Sequence, residues 1–435
     1  MNPPNPANPP QTAAVQRAPP LPLFAIIEAP YGMQNNLITF IAMVLLRNSG
    51  VDIGQASAIA AFCLVPSTFY FLYAPMVDFF VRRRTWLLAA VVVTALLAGG
   101  ATLLASGSHV RFVTAVLFAS TVTSMLISAA TGGLMSSLLN RGEKARVGAW
   151  VQLGNLGGGA CFFGLMLVLE PHFGRTTLAA IATALILLPG IAVFWIHEPE
   201  RVRLSASVAS EPGTGGYLTQ VRAIGRELRL TLFSWRSLVG ILLLGSPIGS
   251  SAITTVLSGL TREYGASAGE LGFANGWGGG LLCALGALCI LLAPPRWNRT
   301  LPYALAGIVY GGVSLLIAAG PLRPSTLIAG LLASNFVQGI CFAAYTGLVL
   351  QTAGMGGRIH SSRYTILNSI GNLPVVYMTA LEGQVAGHFG ARAVGLFDGG
   401  LNLLTVAIFF VWWTWMRMHR REFLEAPEVA LSSPA

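Results

Sequence analysis

The stretch "LLAAVVVTALLAGGATLLAS", residues 87–106, carries no ionisable side chain from end to end. A run of about 20 apolar residues crosses the hydrocarbon core of a bilayer as a helix. Immediately before it stand Arg82, Arg83 and Arg84. An apolar run with a basic shoulder reads as a membrane span whose charged end stays on the cytoplasmic face. The whole chain agrees. It has 435 residues, 54% hydrophobic and 10% charged, against about a quarter charged in soluble domains. This is a polytopic membrane protein. It is all-helical, because lipid leaves every backbone polar group to be satisfied within the chain.

Working outward from that span, apolar runs are expected at 21–46, 53–77, 85–105, 111–138, 147–168, 177–196, 237–260, 268–293, 301–320, 325–350, 363–386 and 393–416. These twelve form an N-terminal six-helix bundle, 21–196, and a C-terminal one, 237–416. Residues 1–20 are Pro-rich and polar, with no apolar signal-peptide region, and are expected to be a disordered cytoplasmic tail. Residues 417–435 are a second tail. The linker 197–236 contains "RAIGRELRLTLFSW". Its Arg222, Arg226 and Arg229 share one helical face and Ile224, Leu228, Leu232 and Trp235 another, the pattern of an interfacial helix.

The net charge of +10 invites a nucleic-acid reading, but its placement explains it otherwise. Six of the 26 basic residues (Arg47, Arg111, Arg175, Arg262, Arg323 and Arg392) fall in one set of alternate loops. The others fall in the opposite loops and the tails. This bias puts both termini in the cytoplasm, with lipid headgroups as the partner of the basic side, and no nucleic acid. Cys63, Cys161, Cys283, Cys289 and Cys341 lie in apolar runs, and the six histidines lack ligand spacing. Neither metal nor cofactor is expected.

The two halves repeat. Pro30-x-Gly32 matches Pro247-x-Gly249, "RNSGVDIG" at 47–54 matches "REYGASAG" at 262–269, and "RVGAWVQLGNL" at 146–156 matches "RYTILNSIGNL" at 363–373. The order is kept and the offset is nearly constant, which argues for duplication. Six plus six helices in parallel repeat is the plan of major facilitator transporters, with a solute site between the halves. Gly272, Gly276 and Gly280, and likewise Gly154 and Gly158, stand one turn apart and are expected at close helix contacts rather than in a nucleotide loop.

"YAPMVDFFVRRRTWLL" at 73–88 resembles the loop between helices two and three of that family. There Ala74 stands for the usual glycine, and Asp78 with Arg82, Arg83 and Arg84 is implied to form a cytoplasmic gate. "EAPYGM", "LYAPMVD" and "RYTILNSIGNLPVVYMTALEGQVAGHFG" look like the AmpG-type branch, which includes muropeptide permeases and acetyl-CoA carriers. "LLRNSGV" is similar to related siderophore importers. The chain departs from the AmpG-like pattern in span four, where "SAATGGLMSSLLNRGEKAR" has no acid until Glu143.

An ionisable residue inside a span is a functional candidate by default. Glu28 is the carboxylate placed well within an apolar run and is the proton-coupling candidate. Glu270, Glu382 and Asp398 are expected near the outer interface in structural roles. Neutral polar residues fall on consistent faces and are the candidates for a solute cavity. They are Tyr31, Gln34 and Asn35 on span one, Ser124, Ser128 and Thr131 on span four, and Gln152 and Asn155 on span five. The C-terminal half adds Ser250 and Thr254, then Asn335, Gln338 and Tyr345, then Asn368 and Asn372. Pro30-x-Gly32 is expected to break or bend span one. With no intramembrane Arg or Lys, such a cavity suits a sizeable, near-neutral or zwitterionic solute.

The expected function is secondary active transport in a bacterial inner membrane by a monomer. It is a proton-coupled import of a muropeptide-like or siderophore-like solute. Efflux of a drug or metabolite by the same fold, and a transport-inactive sensor or scaffold, are the alternatives. No nucleophile–base set and no Walker-type loop is present, so neither an enzyme nor an ATP-driven pump is expected.

Overall fold

A computed structural model describes residues 19–78, 81–139, 147–148, 150–196, 235–289, 300–353 and 360–419. The linker 197–234 and both tails beyond these limits, with their disorder and interfacial-helix readings, lie outside the described residues. Those described form an all-helical protein whose twelve membrane segments follow the expected runs. α1 is Pro22–Thr39 continued by a π turn, Phe40–Leu46. α2 is Ile53–Thr68, extended by Tyr70–Tyr73 and a 3-10 turn, Ala74–Asp78. α3 is Arg83–Leu104, α4 is Val110–Leu138, α5 is Trp150–Leu169 and α6 is Arg175–Trp195. In the second half α7 comes in two pieces, Trp235–Leu244 and Ala252–Ser258. α8 is Ala268–Cys289, α9 is Thr300–Ala319, α10 is Pro324–Ala353, α11 is His360–Phe389 and α12 is Ala391–His419.

The duplication read from sequence is visible in packing. Within the first half α3 packs on α4 and α6, and α1 on α5; within the second α9 packs on α10 and α12, and α7 on α11. Between the halves α2 meets α11 and α5 meets α8. An offset of six helices converts each of these last two contacts into the other, as a two-fold arrangement requires.

The expected glycine contacts are present. A Cβ on Gly276 would lie 2.8 Å from the Gly164 Cα, and one on Gly280 2.7 Å from the Ala160 Cβ, so α8 sits backbone-close on α5. Gly154, Gly158 and Gly32 do the same between α5 and α1, with Gly32 seated on the Asn155 backbone. Small residues let dispersion act over a long seam where no hydrophobic force acts between helices in lipid.

The expected break is in the other half. α1 runs unbroken through Pro30, whereas its repeat partner α7 opens between Leu244 and Ala252. Gly249 there has φ +69° and Ser251 φ +57°. Breaking a helix in a membrane frees carbonyls that must be bonded. Three neighbours supply donors. Tyr377 of α11 donates to Gly245 O at 2.9 Å, Tyr303 of α9 to Ile248 O at 2.7 Å, and Gln338 Nε2 of α10 to Gly249 O at 2.8 Å. These donors make the broken form tolerable around Pro247, while α1 uses Gly32 to bind α5.

Candidate functional site

The α1 face assembles as its spacing implies. Residues 28, 31 and 35 lie on one side of a 3.6-residue helix. Glu28 is 2% exposed and faces Ser128 and Thr131 of α4. Tyr31 stands against Glu28 and Asn35. Glu28 Oε2, the Thr131 hydroxyl, Asn35 Oδ1 and both amide ends of the fully buried Gln34 make no good hydrogen bond among the described residues. A buried polar group without a partner costs about 1–3 kcal/mol, so five such atoms on two facing helices mark a place for polar company. Ser124 is satisfied within α4, donating to Thr121 O at 2.9 Å. On α5, Gln152 is exposed and Asn155 half-buried.

In the C-terminal half the singled-out residues are largely engaged with protein. Ser250 Oγ accepts weakly from Ala252 N at 3.4 Å, within the break of α7. Asn335 donates to Asn275 Oδ1 at 3.0 Å, Asn275 to Ser258 Oγ at 2.9 Å, and Ser258 to Thr254 O at 2.7 Å, a chain tying α10, α8 and α7. Gln338 caps the break of α7, leaving its Oε1 unpartnered. Tyr345 donates to Asn368 Oδ1 at 3.0 Å, joining α10 and α11. Asn372 Nδ2 crosses to the first half, donating to Ser67 O at 3.1 Å.

Sequence reasoning missed the contacts that hold the halves together at the end bearing the sparse arginines. Arg47 Nη2 lies 2.8 Å from Glu263 Oε1, and its Nε donates to Gly259 O at 3.1 Å. Arg262 donates to Asn48 Oδ1 at 3.1 Å. The cleft between them, about 170 Å³ and lined by Met43, Arg47, Glu170, Gly259, Arg262 and Leu271, holds no sizeable solute. The matched "RNSG" and "REYG" motifs were the signal: their repeat placed both arginines at one end. At the opposite end Arg83 Nη1 donates to Gly133 O at 2.6 Å and Arg84 lies 5.4 Å over the Phe194 ring, so two of the gate arginines bind α4 and α6. Arg82 precedes α3 as its N-cap. Asp78 ends its 3-10 turn, and its side chain lies outside what the structure describes.

The three remaining acids divide. Glu270 closes a capping box with Ser267 at the start of α8, accepting from Ser267 N at 2.7 Å, a structural role as expected. Glu382 and Asp398 are not at a hydrated interface. Both are fully buried: α9 packs along α12, which carries Asp398, while α2 and the second piece of α7 pack along α11, which carries Glu382.

This architecture has a recognisable source. The family model of the Major Facilitator Superfamily matches residues 24–373. The chain belongs to this superfamily. It is therefore a membrane transporter of the major facilitator type, in agreement with the repeat and the loop after α2. Solved structures share the fold at low identity. A D-xylose-proton symporter aligns with TM-score 0.66 and 12% identity over 90% of this chain and 96% of its own. The nucleoside transporter NupG gives 0.63 and 12% over 90% and 99%. A POT family transporter in complex with a thioalcohol-conjugated peptide gives 0.64 and 12% over 91% and 96%. No curated protein sequence matches significantly. These neighbours are a sugar symporter, a nucleoside transporter and a transporter bound to a peptide conjugate, so the fold does not choose the solute.

Proposed function

We propose that this major facilitator couples protons to the import of a sizeable, polar, near-neutral solute of muropeptide or siderophore type. Its setting is a bacterial inner membrane, with both termini in the cytoplasm. The observation that carries the reading is the α1–α4 face, where Glu28, Gln34, Asn35 and Thr131 each bury a polar atom without a well-formed hydrogen bond and Glu28 faces Ser128 and Thr131. A carboxyl group there exchanges a proton when rocking of the halves changes its hydration. Tyr31, Gln34 and Asn35 lie within two turns of it, so solute amides and hydroxyls bind where the proton does. The resemblance of "EAPYGM" and "LYAPMVD" to AmpG-type permeases supports a cell-wall fragment, and that of "LLRNSGV" supports a siderophore. The Arg47–Glu263 pair closes the outer end, and Asp78 with Arg82 to Arg84 latches the cytoplasmic end when that side shuts.

The test uses protein reconstituted in liposomes, an imposed inward proton gradient, and labelled muropeptide or ferric siderophore. Wild type is expected to concentrate one of them and to lose accumulation with an uncoupler. Glu28→Gln keeps size and hydrogen bonding but cannot titrate. It is expected to abolish accumulation while preserving downhill exchange. A Glu28→Gln protein that still concentrates solute removes Glu28 as the coupling group.

A further inference from the structure

Two carboxyl groups meet inside the C-terminal bundle, apart from the α1 face. Glu382 on α11 and Asp398 on α12 are both 0% exposed. Each stands eight residues from the tight turn at Gly390, about 12 Å along its helix. Glu382 lies against Asp398. The donors around them are unevenly shared. Ser314 of α9 donates to Asp398 Oδ2, and Asn402 Nδ2 to Asp398 Oδ1 at 3.1 Å. Neither oxygen of Glu382 has a well-formed hydrogen bond among the described residues. The buried Asn402 Oδ1 and Tyr310 hydroxyl also lack a well-formed hydrogen bond; Tyr310 faces both acids and lies beside the Ser251 backbone.

The charge around the pair is one-sided. The titratable groups facing it are Tyr310 of α9 and Cys341 of α10. The piece of α7 packed on α11 and α12, Ala252–Ser258, carries none. Among the described residues no Arg, Lys or His forms an ion pair with either acid. Two adjacent carboxylates in an apolar site cannot both stay ionised. Asp398, with donors to both oxygens, has the surroundings of a carboxylate. Glu382, with no well-formed donor to either oxygen and the Asp398 carboxylate beside it, has those of a neutral acid that supplies its own O–H.

We propose that Glu382 and Asp398 are a proton-binding pair, with Glu382 carrying the proton and Asp398 accepting its hydrogen bond, and that the proton exchanges with water when α2 and α11 part. The seam is the adjoining residue. Gly383 seats Ser57 of α2, Gln384 Nε2 reaches Gly54 O at 3.4 Å, and the Ser57 hydroxyl is buried without a partner. Rocking of the halves separates these contacts and opens a route for water one residue from Glu382. Only the O–H bond of Glu382 breaks and re-forms, and water takes and returns the proton. The pair lies in the half opposite Glu28 and does not depend on the role given to Glu28.

Infrared difference spectroscopy of the full-length protein in lipid nanodiscs tests this, following the carbonyl stretch of protonated carboxyl groups through pH steps. Glu28→Gln is expected to keep a protonated-carboxyl band that Glu382→Gln loses. If Glu382→Gln does not fold, Asp398→Asn carries the test: the Glu382 band is expected to shift in frequency as its acceptor changes from carboxylate to amide. A band unchanged by Glu382→Gln, or by Asp398→Asn, overturns the proposal. So does stabilisation of the wild type by Na⁺ relative to choline at fixed pH that Glu382→Gln abolishes, which would make the pair a sodium site. Loss of the band in Glu28→Gln alone would leave Glu28 as the proton carrier and refute the pair.

Discussion

Replacing Arg47 by alanine unfastens the end of the transporter that this structure holds shut. Arg47 makes two contacts across the halves, an ion pair with Glu263 and a hydrogen bond to Gly259 O, 2.8 and 3.1 Å long. The Glu263 side chain is 35% exposed and the Arg47 side chain 18%. Solvent screening holds such an ion pair to about 0.5–1 kcal/mol. The bond from a charged donor to a carbonyl adds about 1–1.5 kcal/mol. Losing both favours the open state by about 2 kcal/mol, roughly a 30-fold rise in its population relative to closed. Glu263→Gln removes the charge but leaves the Gly259 bond, so about threefold is expected. Arg262–Asn48 remains in both variants.

The assay is a cysteine at Met43, which is 2% exposed and lines the cleft beneath the pair, in a background without the five native cysteines. Its reaction with a membrane-permeant thiol reagent tracks the fraction open at that end. The rate should rise about 30-fold in Arg47→Ala and about threefold in Glu263→Gln, and salt should narrow the Glu263→Gln difference. Equal rates in folded wild type and Arg47→Ala would refute the latch.

Gly249→Ala should be among the more damaging single-methyl changes. Its φ of +69° and a Cβ 2.9 Å from the Cys341 Cβ together cost about 2–4 kcal/mol, read as a lowered unfolding midpoint in detergent. Tyr303→Phe leaves Ile248 O in the break without its donor, and should cost about 1–2 kcal/mol by the same measurement; an unchanged midpoint would show the break does not need it. Asp78→Asn should reduce transport with expression largely intact, and a wild-type rate would remove Asp78 from the gate. A cysteine at Ser207 should resist an impermeant thiol reagent in intact cells; ready labelling would reverse the assigned orientation.

Some of this was legible along the chain because membrane insertion is a local matter. The transfer of about 20 apolar residues into lipid depends on those residues alone, so "LLAAVVVTALLAGGATLLAS" announced α3 without its neighbours. Charge bias and repeat offset are likewise one-dimensional, and they gave the two halves and the family before any contact was known. The glycine ladders of α5 and α8 were readable too, since small residues one turn apart have few other uses in a bilayer.

Contacts between helices were not legible, because hydropathy does not fix how a helix is turned about its axis. Pro30 and Pro247 sit in matching motifs, yet α7 broke and α1 did not. The difference rests on donors from Tyr303, Gln338 and Tyr377, which lie 55, 89 and 132 residues from the carbonyls they satisfy. Asn335 and Gln338 looked equivalent to Gln34 and Asn35 as polar residues in spans. Tertiary packing gave the amide nitrogens of Asn335 and Gln338 protein acceptors, whereas both amide ends of Gln34 and the Asn35 Oδ1 stay without a well-formed partner. Glu382 and Asp398 read as interfacial from their distance to the helix ends, but α9 packed on α12, with α2 and α7 packed on α11, turns two surface acids into one buried pair. The sequence by itself determined which segments enter the membrane and how often the unit repeats, because each segment meets lipid individually. Only the tertiary structure decided which polar groups remain without partners, because a partner is a property of two helices at once.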